Sequence, residues 1–153
     1  MPFNKRYGWW WVLFFLYGCI VHGREGELEP LTIETAAGDV IHYQIELAVS
    51  QRDKERGLMF RESLPEDRGM LFIYRPEKTV AMWMKNTLLP LDMLFIDKEG
   101  KIARIESDTV PGSLKVISSG TEVRAVLELN AGQASKHGIK AGDRVFYSVF
   151  AQR

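Results

Sequence analysis

Cysteine, histidine and any excess of charge are what this sequence lacks most. Cys19 is the only cysteine in 153 residues, which excludes a disulfide within the chain and leaves the fold to stand on its core. The three histidines, His22, His42 and His137, are far apart and belong to no Cys/His cluster. Zinc binding and histidine-driven general-base chemistry therefore have little to rest on. There is no Cys-x-x-Cys, His-Glu-x-x-His or Gly-x-Ser-x-Gly, and no phosphate-cradling glycine loop. No cofactor and no metal is expected from motifs, and none of them designates a catalytic residue. Lysine and arginine number 20, as do aspartate and glutamate, so the formal net charge is zero. Nucleic-acid binding needs a concentrated basic surface and is not expected.

A long apolar run is missing as well. Lys5 and Arg6 precede an apolar stretch from Trp9 to Val21, broken only by Tyr17 and Gly18. As a helix it would cover about 20 Å, short of a hydrocarbon core about 30 Å thick. A basic start, a short apolar run and a polar continuation at Arg24-Glu25 fit an export signal over residues 1–23. A charged linker over 24–30 and one globular domain over 31–153 follow. Two variants stay open. The segment is an uncleaved anchor if Trp9, Trp10 and Trp11 rest at the membrane interface. It is a lipoprotein signal if Cys19 of Leu16-Tyr17-Gly18-Cys19 carries the lipid, although Tyr17 stands where a small residue is usual. The expected location is the periplasm or the outer side of the cytoplasmic membrane, with membrane contact only through this segment. Without Lys5 and Arg6, 18 basic residues face 20 acidic ones, a net charge of −2.

What is present is an ordinary globular composition, 46% hydrophobic and 26% charged, sufficient for one domain with a core. Apolar and polar residues alternate through Leu31–Thr35 and again through Val40–Val49, with Ala37-Gly38-Asp39 as a turn between them. This predicts a hairpin with Ile41, Tyr43, Ile45, Leu47 and Val49 on one face and His42 on the other. Ser50, with Asp53 three residues on, marks a helix start, and Gly57 its end. Strands are predicted over Met70–Tyr74, Thr79–Lys85, Leu91–Ile96, Lys101–Glu106, Val123–Leu129 and Arg144–Phe150. Arg75-Pro76-Glu77-Lys78 reads as a turn, Asp108–Ser119 as a mobile loop and Gly132–His137 as a second short helix. About eight strands and two short helices predict a mainly β (α+β) fold, a small barrel or a sandwich.

Within that frame, Val80–Asp97 sets Lys85, Asn86 and Asp92 among large apolar side chains and holds Trp83, Met82, Met84 and Met93. Polar groups in apolar sequence either tie off a turn or line a pocket. Lys85 and Asp92 flank a six-residue connection and are placed to face each other across its mouth. Asn86 suits closing a turn or gripping a ligand, and Arg56 offers a fork to a carboxylate.

Several blocks along the chain resemble one family. They are Arg56-Gly-Leu-Met-Phe-Arg, Gly69-Met-Leu-Phe, Trp83-Met-Lys-Asn-Thr, Pro90-Leu-Asp92, and Leu127-Glu-Leu with Gly138-Ile-Lys-Ala-Gly-Asp. Together they look like the signature of the domain of unknown function 192, a family of small bacterial and archaeal proteins that often carry export signals. The resemblance spans roughly Leu31 to Ser148. It implies a compact, strand-rich domain and no particular activity, and it puts the family's characteristic polar positions on Arg56, Lys85, Asn86 and Asp92. One expectation is thus a binding or structural module, in which those four residues rim an apolar pocket walled by Met59, Trp83 and Met84 and take a small polar or anionic molecule. A salt-bridged turn that locks the fold is the plainer alternative. An enzyme with Asp92 as base and Lys85 steadying an oxyanion is another. A Cu(I) site built from Met59, Met70, Met82, Met84 and Met93 is a further one.

Overall fold

The computed structural model describes residues 27–150. The expected export segment, with its variants as an uncleaved anchor or a lipidated Cys19, lies outside the described residues. In chain order the elements are β1 (Glu29–Glu34), β2 (Val40–Ala48), α1 (Gln51–Arg56), β3 (Arg68–Met82), β4 (Leu91–Ile96), β5 (Ile102–Glu106), β6 (Ile117–Asn130), α2 (Gln133–Lys136) and β7 (Arg144–Phe146). β1 opens at Glu29, which pairs with Ile45.

All seven strands form one sheet in the order β5-β4-β6-β3-β2-β1-β7, so the fold is mainly β and barrel-like rather than a two-sheet sandwich. The two edge strands meet at one corner. Lys101 bridges Arg144, the Val145 N–H donates to Gly100 O at 2.7 Å, and the Ile102 N–H donates to Asp143 O at 2.9 Å. The sheet is thereby curled into a half-barrel. At Gly100 φ is +83° and a Cβ would overlap the Val145 carbonyl, so glycine permits the closure.

Period-two alternation sorts the side chains onto two faces. Ile33, Ile45, Leu71, Leu94, Leu127 and Leu129 point into the half-barrel and form the larger core. Phe72, Tyr74, Leu91, Met93, Phe95 and Val126 point the other way and form a second cluster with Leu58, Val80 and Met84. β4 is buried on both faces, all six residues of it. β2 and β3 are the parallel pair, and parallel strands need a crossover. That crossover carries α1 over the second cluster, where the Gly57 turn closes against the Phe72 ring.

Two predicted elements change. Met70–Tyr74 and Thr79–Lys85 are one 15-residue strand, β3, and the turn read at Arg75–Lys78 is a register shift within it. The loop read over Asp108–Ser119 ends early, because β6 starts at Ile117. Seven strands result among the described residues. The helix start behaves as read: Ser50 Oγ accepts the Asp53 N–H at 3.1 Å and Asp53 accepts the Ser50 N–H at 3.3 Å. Ser50→Ala is expected to lower stability by about 1 kcal/mol, measured as an earlier urea midpoint. An unmoved midpoint would mean that α1 is held by packing alone.

Candidate functional site

On the outer face of the sheet, where α1, the far half of β3 and the connection after it converge, the surface opens into a cavity of about 540 Å³. Its walls are apolar and aromatic: Leu58 and Met59 after α1, Phe72, Tyr74, Val80 and Met82 from β3, and Trp83 beyond it. The Tyr74 hydroxyl donates to Met82 Sδ at 3.6 Å. Burial, and secondarily the Glu128 carboxyl, pushes the Tyr74 phenol up to about 12.

Four cations stand around this cavity, Lys54 and Arg56 from α1, Lys78 from β3 and Lys85 from the connection. Lys54 Nζ lies 4.8 Å from the Tyr74 ring centre and Lys78 Nζ 5.3 Å, while Lys85 Nζ lies 5.2 Å from the Trp83 ring. None of the four has a carboxylate partner among the described residues. Lys54 bears the consequence: burial, then the charge of Lys78, lowers its pKa from the ordinary value.

At the closed end lies Glu128 of β6. Strand alternation sets it on the face of Val126, and the register places it between Met70 of β3 and Met93 of β4. It is 4% exposed, it lines the cavity, and no hydrogen bond or ion pair reaches its carboxyl among the described residues. Burial alone pushes its pKa up to about 8.

Of the residues expected at a site, Arg56, Met59, Trp83, Lys85 and Asn86 are brought to this one cavity. Asn86 also closes the local turn. Its backbone, at φ +54°, is in the left-handed region that asparagine tolerates, and its carbonyl accepts the Phe60 N–H at 2.9 Å. Its side-chain amide points at Met59 Sδ, 4.0 Å away.

Asp92 and Met84 are not brought there, which corrects the expected cluster. Asp92 has the parity of Leu94 and Ile96, so it turns into the half-barrel, fully buried. There Oδ1 accepts the Asp108 N–H at 3.0 Å and Oδ2 accepts the Ala134 N–H at 2.9 Å. Lys85 is exposed on the other side of the sheet, so the two share no mouth, and the pairing of an Asp92 base with a Lys85 oxyanion group has no common cavity. Met84 is buried in the second cluster with Met70 and Met93, leaving only Met59 and Met82 on the cavity wall. Glu128 is the site residue that sequence reasoning missed, although an acid inside the apolar run Val126–Leu129 was there to be seen.

Residues 32–147 match the family described as domain of unknown function 192, uncharacterized ACR. Two solved structures are similar along most of their length. One, a "putative transcription regulator" from Sinorhizobium meliloti 1021, is 44% identical with a TM-score of 0.77, over 78% of this chain and 92% of that one. The other, a protein of unknown function from Novosphingobium aromaticivorans, is 34% identical with a TM-score of 0.78, over 83% of this chain and 91% of that one. No curated protein matches the chain.

Proposed function

This chain belongs to the domain of unknown function 192 family, and we propose that it is a binding protein whose outer-face pocket takes a small organic anion with an apolar body. The observation that carries this reading is the convergence of Lys54, Arg56, Lys78 and Lys85 on one apolar-walled cavity, none of them ion-paired among the described residues. Like charges gathered on one cleft raise each other's energy and draw in an anion. A cavity of about 540 Å³ is in the size range of small-molecule sites. The apolar body would lie against Tyr74, Met82 and Trp83. We also read the chain as exported, on the strength of Lys5, Arg6 and the Trp9–Val21 run, so that the pocket would work outside the cytoplasmic membrane.

A thermal-shift screen of carboxylates and phosphate esters with apolar bodies tests the pocket. Arg56→Ala and Lys85→Ala are each expected to weaken a hit about tenfold, the loss of one charge-assisted contact of about 1.4 kcal/mol. Both residues are exposed, so neither change should disturb the fold. A hit whose shift is the same in both variants would remove the cations from the site.

A further inference from the structure

Glu128 gives the pocket a second pole. Other buried acids of this fold are answered. Glu46, which shares the face of Ala48 and the second cluster, takes a fork from Arg61 at 2.5 and 2.7 Å, and Asp92 takes two backbone N–H groups. Among the described residues Glu128 has neither, yet it borders open space. Burial is what raises its pKa, to about 8. A lone buried carboxyl facing a cavity is half of an interaction whose other half is missing.

Resting on the reading of the mouth as an anion site, we propose that Glu128 receives an amino group, so that the pocket takes extended zwitterions: small ω-amino acids whose carboxylate meets Arg56 and Lys85 while the ammonium at the other end of the chain pairs with Glu128. The apolar wall between the two poles accommodates the methylene chain that links the charges. An ammonium suits this end better than a hydroxyl, because a charge-assisted hydrogen bond in a dry site is about twice as strong as a neutral one.

Binding is then linked to protons. Below about 8 Glu128 holds its proton and releases it to pair with an ammonium, so affinity for a zwitterion rises about tenfold per pH unit up to that point. The other groups facing the cavity are Lys54, Glu55 and Arg56 on α1, Tyr74 and Lys78 on β3, and Lys85; β4 turns only Leu91, Met93 and Phe95 to this face. Tyr74 titrates at about 12, outside the range. Lys54, whose pKa is drawn down, meets any anion equally, so an anion without an amino group controls for it.

The test titrates 6-aminohexanoate and 8-aminooctanoate against hexanoate and octanoate, which share their chains but lack the amino group. Calorimetry uses the full-length chain and its Glu128→Gln variant at pH values of about 6, 7 and 8. The amino acids are expected to bind at least tenfold more tightly than their deaminated partners at the highest pH. That advantage should shrink as pH falls and vanish in Glu128→Gln. If the plain anions bind the unaltered chain as tightly as the amino acids, and Arg56→Ala weakens them, the zwitterion is overturned and the anion site stands. An amino-acid advantage that persists in Glu128→Gln overturns the role of Glu128. Anions indifferent to Arg56→Ala and Lys85→Ala, or no binding by any of the four compounds, overturn both readings.

Discussion

Asp92→Ala is expected to lower the stability of the fold by about 3–5 kcal/mol, against a total of roughly 5–15 kcal/mol for a domain of this kind. The carboxylate is fully buried, and its two oxygens tie together segments far apart in the chain. Oδ1 holds the start of the Asp108 loop and Oδ2 the first turn of α2, whose Ala134 is itself buried. Alanine removes both acceptors and strands the Ala134 N–H in an apolar interior, where each orphaned group is worth about 1–3 kcal/mol. Asp92→Asn keeps one acceptor oxygen and should lose about half as much. Urea denaturation followed by circular dichroism measures both. A loss below about 1 kcal/mol in the alanine variant would mean that the two segments are held by something other than this carboxylate.

The same pair of variants separates a clasp from a catalytic base. Asp92 faces the half-barrel interior while the pocket opens on the opposite face, so Asp92→Asn should bind any ligand of the proposed site as the unaltered chain does. A base within the site would not permit that.

How far such roles can be read from sequence depends on the physics of each. The β1–β2 hairpin and the cap of α1 are local: alternation of Leu31, Ile33, Tyr43 and Ile45, and the Ser50–Asp53 pair, are complete within a few residues. β3 defeats a local reading because Arg75-Pro76-Glu77-Lys78 has turn composition, while pairing with β6 carries the strand past it with a shift of register. The site splits the same way. Arg56, Met59, Trp83, Lys85 and Asn86 converge because a parallel crossover lays α1 over the end of β3; Lys85 and Asn86 stood out as polar residues in apolar sequence, and Arg56 through the family resemblance. Closeness in sequence misleads for Asp92. It lies seven positions from Lys85, yet its parity with Leu94 turns it inward. β4 is apolar on both faces, so nothing in its own sequence says which face carries the cavity. Glu128 is the converse case. It carries the same signal as Asp92, an acid in an apolar strand, but only the long-range pairing with Met70 and Met93 shows which acid meets the pocket.

Glu128→Gln is expected to stabilise the fold, by an amount that grows with pH. The folded-state pKa of Glu128, about 8, stands above the ordinary 4.5. Between those values the unfolded chain has released this proton and the folded chain has kept it, so the carboxyl's contribution is intact below 4.5 and is lost as pH rises to about 8. At about 1.4 kcal/mol per pH unit the loss amounts to about 5 kcal/mol across the window. Glutamine has the same shape and no proton to lose, so the variant should match the unaltered chain near the low end of the window. Above about 8 it should be the more stable of the two by most of that difference. Denaturation midpoints of the two proteins across the window isolate this one group, because every other titration is shared. Parallel curves would show that the carboxyl is solvated or partnered after all, and the second pole of the pocket would go with it. Diverging curves would identify a residue that weakens its own fold. An apolar or amide side chain at this position would serve stability better, a cost that the proposed ammonium site would account for.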